Sequence, residues 1–140
     1  MSETGRLETM EPNPVWVRDA YADTVDTLAR YRTELDYHIW GGDWCKDCRA
    51  QLPDFGAALE AAEVPDARIH HYPTEKQDDG SKTGPGVEEY GIEYIPTVVV
   101  EYAPRSGDTS QAVEEIARFV EEEPVPIAVH LADQIESAMA

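Results

Sequence analysis

The chain has 140 residues, with 29 Asp and Glu against 11 Lys and Arg and a formal net charge of −18. That length suits a single domain with a real core. The charge argues against nucleic acid and anionic membrane surfaces as partners, because phosphate contacts need the opposite sign. No apolar run approaches the ~20 residues needed to span a bilayer, and Met1 to Glu11 lacks the apolar centre of a signal peptide. The two cysteines lie together in one short motif, unlike the framework of a disulfide-stapled secreted scaffold. A cytoplasmic monomer is the expectation.

In chain order, residues 1–12 read as a flexible N-terminal tail and 13–140 as one domain ending in an extra helix. Asn13-Pro14 is a helix start, an N-cap side chain followed by proline in the first turn. Val17, Tyr21, Thr24, Leu28 and Tyr31 then repeat at four and three, predicting a helix to about Arg32. Leu35 to Trp40 alternates as a strand, and Gly41-Gly42 breaks it. Cys48, Leu52, Phe55, Leu59 and Ala62 form one apolar helical stripe, and Pro53 within it predicts a kink. Arg68 to Tyr72 is a second strand, and the tandem His70-His71 must point to opposite faces of it, so both read as structural. Gln77 to Gly86 has loop composition, and Val87 to Tyr90 is a short helix ended by Gly91. Thr97 to Tyr102 is an apolar, β-branched strand, interior to a sheet. Asp108 to Val120 reads as a helix, with Val113, Ile116, Ala117 and Val120 on one face, and a last helix follows Pro126. This order predicts an α/β fold, a central mixed sheet of three to five strands flanked by helices.

The chemistry concentrates in Trp44-Cys45-Lys46-Asp47-Cys48. Two residues between the thiols place both in one helical turn, where they can close to a disulfide or open to a dithiol. Cys45 falls at the helix N-terminus, where free N–H groups and the helix dipole favour an anion, and the thiolate is the reactive form of cysteine. Cys48 lies one turn in, on the apolar stripe. Cys45 is therefore the candidate nucleophile and Cys48 the resolving thiol. Lys46 favours thiolate at Cys45 and Asp47 opposes it, unless both are simply solvated charges. Trp44 forms an apolar rim. The rival chemistry is metal, since Cys-x-x-Cys is half a zinc knuckle. No second such pair exists, and His38, His70, His71 and His130 show no knuckle spacing with it, so no metal is expected.

Gly41-Gly42-Asp43-Trp44-Cys45-Lys46-Asp47-Cys48, Pro53 five residues on, and Glu89 to Thr97 with Ile95-Pro96-Thr97 together resemble the thioredoxin superfamily. The likeness spans about Leu35 to Val120, and Asp47 before the second cysteine is similar to the Trp-Cys-x-Asp-Cys branch. The resemblance implies a thioredoxin-like fold and a thiol–disulfide oxidoreductase needing no cofactor beyond its own redox-active disulfide. It implies disulfide-containing protein substrates and an electron-donating reductase as partners. It also implies a cis Ile95-Pro96 bond beside the cysteines, with the Ile95 backbone holding an extended substrate by β-augmentation. The alternative is a redox-sensing binding or adaptor module on the same fold.

Two departures qualify the likeness. Typical thioredoxins carry a buried Asp six residues before the first cysteine, and Ile39 stands there, leaving water, Asp36, Asp43 or Asp47 to move the proton. Only Ala103 to Gly107 separates strand from predicted helix, so the family's last strand is expected to be short or missing. The composition carries a further likeness. Only three of the 11 basic residues are Lys, and dense carboxylate with little Lys resembles cytosolic proteins of salt-accumulating archaea. Concentrated salt there screens the self-repulsion. An ordinary acidic bacterial protein is the other origin.

Overall fold

The computed structural model describes residues 7–42, 45–76, 82–84, 86–102, 114–121 and 123–139, with Glu8, Lys76 and Lys82 described by backbone alone. Four strands form a mixed sheet, β1 (Leu35–Gly41), β2 (Ile69–Pro73), β5 (Thr97–Tyr102) and β6 (Glu114–Val120), in the order β2-β1-β5-β6. β1 and β2 are parallel, joined through α2 (Lys46–Ala61) in a β-α-β unit, while β5 and β6 add antiparallel. A second, two-stranded ladder pairs β3 (Glu75–Lys76) with β4 (Lys82–Thr83). The remaining helices are α1 (Ala22–Arg30), α3 (Val87–Tyr90) and α4 (Ile127–Met139). This is the expected α/β layout, a mixed sheet flanked by helices.

Strand alternation gives the sheet two unlike faces. Tyr37 and Ile39 of β1 stand opposite Val100 and Val98 of β5, and these in turn oppose Ala117 and Phe119 of β6. That apolar face meets Leu52, Phe55 and Leu59 of α2, with Tyr37 and Phe55 in ring contact at 6.2 Å. Val25 and Leu28 of α1 and Leu131 and Ile135 of α4 complete the core. The other face carries Asp36, His38 and Trp40 beside Glu101, Val99 and Thr97, and is overlaid by Tyr90 of α3.

Four expectations change. Residues 114–120, predicted as the end of a helix, form β6, so the sheet has the last strand thought short or missing. The cause is a bulge: Glu101 pairs Glu115 but Val100 pairs Ala117, leaving Ile116 as the extra residue. The bulge interrupts the two-residue alternation and leaves apolar residues at spacings that mimic a helix. Residues 108–113 lie outside the described residues. The tail expected through Pro12 is packed from Leu7 onward, because Leu7 and Met10 enter the core and the Leu7 N–H donates to His71 Nδ1 at 3.0 Å. Gly56 on α2 makes room for it, since a Cβ there would collide with the Met10 carbonyl. Asn13 does not start a helix. Its Oδ1 accepts from the Val15 N–H at 3.1 Å, its Nδ2 donates to Asp54 at 2.8 Å, and its N–H donates to the Pro53 carbonyl at 3.1 Å. The helix proper begins at Ala22, after a 3₁₀ turn at Arg18–Tyr21. The second strand is shifted one residue, with Arg68 in a 3₁₀ turn and Pro73 at the strand's end.

No helix among the described residues is long and apolar enough to cross a membrane. α2 continues through Pro53, and α3 ends at Gly91, whose φ of 66° is the left-handed cap expected of glycine.

Candidate functional site

Cys45 is the N-cap of α2. Its backbone is extended (φ −86°, ψ 125°), its carbonyl accepts the Arg49 N–H at 3.0 Å, and its sulfur accepts the Cys48 N–H at 3.3 Å. The sulfur thus takes the place of the Ser or Asp oxygen that commonly caps a helix. Both thiols are free and buried, Cys45 at 8% exposure and Cys48 at 0%. Cys48 sits in the stripe with Leu52 and Phe55, as the periodicity predicts. Burial pushes its thiol far above the ordinary value, and the thiol's own hydrogen bond to Cys45 and the charge of Asp47 add to the effect. Cys48 therefore holds its proton firmly at neutral pH.

The end of β1 shapes the space behind the pair. A Cβ on Gly41 would lie 3.1 Å from Leu52 Cδ1 and 3.4 Å from Cys48 Sγ, so glycine lets the helix turn approach the strand. Across the site the Ile95-Pro96 bond is cis, both residues are buried, and the Ile95 carbonyl lies 4.0 Å from Cys45 Sγ. The fold thus brings Cys45, Cys48, Ile95 and Pro96 together from two distant segments. Lys46 and Asp47 open α2 with exposed side chains. Trp44 and Asp43 lie outside the described residues. Asp36 is removed from the proton-acceptor candidates, because it lies on the sheet face away from α2 and pairs with Arg68 at 3.0 Å.

Three residues at the site are not singled out by the sequence reading. Gln51 Nε2 donates to the Glu121 carbonyl at 2.8 Å, and the Glu121 N–H donates to the Pro96 carbonyl at 2.7 Å. This bridge ties the helix bearing the cysteines to the proline opposite them. Tyr94, next to Ile95, is 50% exposed, an apolar surface beside the site. Its signal was present in Tyr94-Ile95-Pro96, one residue upstream of the pair singled out.

Comparison of the chain with protein-family models, with curated proteins and with solved structures finds no match.

Proposed function

We propose that the chain is a thioredoxin-like thiol–disulfide oxidoreductase that reduces protein or small-molecule disulfides. The observation that carries this reading is the Cys45 sulfur, capping α2 between the Cys48 N–H and the carbonyl that precedes cis Pro96. Cys45, as thiolate, attacks one sulfur of a substrate disulfide, so that the Cys45–substrate bond forms and the substrate S–S bond breaks. The departing substrate sulfur leaves as a thiolate and takes up a proton. Cys48 then gives up its proton and attacks Cys45 Sγ, closing the internal disulfide and expelling the second substrate thiolate. Two electrons pass to the substrate, and an electron-donating reductase or dithiol restores the pair. The firm hold on the Cys48 proton suits a resolving thiol that stays inert until the mixed disulfide forms beside it. With Ile39 in place of a buried carboxylate, Asp43, Asp47 or water is the proton acceptor. No resident cofactor is invoked.

The burial of both sulfurs favours a second reading, a redox-sensing binding or adaptor module that reacts once per oxidation event. Turnover separates the two. In the presence of excess dithiol and molar KCl, catalytic amounts of protein should accelerate reduction of a test protein disulfide through many cycles, and Cys45→Ser should fall to background. Reaction that stops at one equivalent supports the sensor. We further propose a cytoplasmic location and a salt-accumulating source, on the strength of the −18 charge and the scarcity of Lys.

A further inference from the structure

We propose that the sheet face opposite α2 carries a site for one divalent transition-metal ion of the zinc class, held by Asp36, His38 and His70. His38 and His70 pair directly across β1 and β2, and Asp36 precedes His38 by two residues, so all three share a face. The two imidazoles stack at 4.7 Å with 17° between their planes. One ligand atom from each of Asp36, His38 and His70 lies within 4.8 Å of the other two. Zinc–ligand bonds of about 2.0–2.2 Å set tetrahedral donors roughly 3.3 Å apart, so the cluster draws in and the stacked rings turn toward one another to close onto an ion.

The partners of these groups leave an inner set of donors. Asp36 Oδ1 is held by Arg68 at 3.0 Å, while Oδ2 lies 3.5 Å from His70 Nε2. His38 Nδ1 is engaged by the Tyr72 hydroxyl at 2.8 Å, while Nε2 lies 2.9 Å from Glu101 Oε1. The other Glu101 oxygen accepts from the Tyr90 hydroxyl at 2.8 Å. Each histidine thus turns Nε2 toward a carboxylate oxygen, so nitrogen and oxygen donors converge here as they would around a cation. The His70 Nε2 atom is buried without a hydrogen-bond partner among the described residues, a costly state for a nitrogen lone pair or N–H. Ligating histidines commonly have the far ring nitrogen fixed by another group, as Tyr72 fixes His38. Two imidazoles select zinc, cobalt, nickel or copper over magnesium and calcium, which prefer an all-oxygen shell. Glu101 contacts His38 but is not among the three convergent residues, so the fourth position falls to water, and the His70 side chain, 35% exposed, marks the side from which an ion arrives. The site contains no sulfur and stands whether or not the dithiol turns over.

The test uses the full chain carrying Cys45→Ser and Cys48→Ser, because a dithiol binds zinc by itself. After chelator treatment it is titrated with Co²⁺ and then Zn²⁺ in molar KCl, which screens diffuse binding to the acidic surface. The expected result is a visible cobalt absorption that saturates at one equivalent, with a dissociation constant below the protein concentration, and is displaced by zinc. His70→Gln and His38→Gln should each weaken binding at least about 100-fold, more than loss of an outer partner does, whereas Glu60→Gln should leave it unchanged. Circular dichroism checks the fold of each variant. If the buried His38 variant unfolds, His70→Gln alone decides. Absence of saturable binding, or one-equivalent binding that survives the histidine substitutions in folded protein, overturns the proposal.

Discussion

The backbone N–H of Cys48 points at the sulfur of Cys45, 3.3 Å away, so the helix that carries both thiols is capped by one of them. The same turn leaves Cys48 wholly buried, and burial first, then the hydrogen bond of its own thiol to Cys45, raise that thiol above the ordinary value of 9.0. The folded chain therefore keeps a proton that the unfolded chain releases above that pH. Stability from this source is fully present below about pH 9 and is lost as pH rises beyond it. Buried Tyr37 adds a loss of the same sign from its ordinary value of 10.0 upward. Urea melts of the reduced protein should show stability falling from about pH 9, with the early part of that fall absent in Cys48→Ala. Parallel profiles for the two proteins would contradict the assignment.

Gly56 offers a test of the packed N-terminal segment. Replacing a helical glycine by alanine ordinarily stabilises by about 1 kcal/mol. Here the added methyl meets the Met10 carbonyl, and Leu7 and Met10 are anchored in the core on either side of that contact. Gly56→Ala should destabilise the fold by about 1–3 kcal/mol, as overpacking does. A gain in stability would show that residues 7–10 do not dock there.

The acidic surface predicts a response to salt. With a net charge of −18, self-repulsion opposes the compact state until counter-ions screen it. The midpoint of thermal unfolding should rise steadily as KCl approaches molar concentrations. A midpoint that stays flat or falls would defeat the proposed halophilic adaptation.

Local patterns were legible and long-range pairings were not. Cys48, Leu52, Phe55 and Leu59 announced the buried face of α2 because helical neighbours recur at three and four. Gly91 announced the end of α3 because few other residues accept its backbone angle. The cis bond before Pro96 came from family likeness rather than from any local pattern. β6 was hidden because its bulge at Ile116 disguised a strand as a helix. Leu7 and Met10 were too sparse among charged residues to signal burial. The Gln51–Glu121 bridge joins residues 70 apart, and His38 meets His70 only through strand register. Nothing in one-dimensional spacing records such contacts.

The central claim is that Cys45 attacks and Cys48 resolves, and trapping tests it most directly. Cys48→Ser removes the resolving thiol while leaving the helix-capping sulfur in place, so the protein should accumulate covalent adducts with disulfide substrates that reductant releases. Cys45→Ser leaves only the buried, firmly protonated thiol and should form no adducts. Mass spectrometry of the trapped species also identifies the substrate. Adducts on Cys48→Ser alone agree with the assignment; equal trapping by Cys45→Ser, or none by either variant, contradicts it.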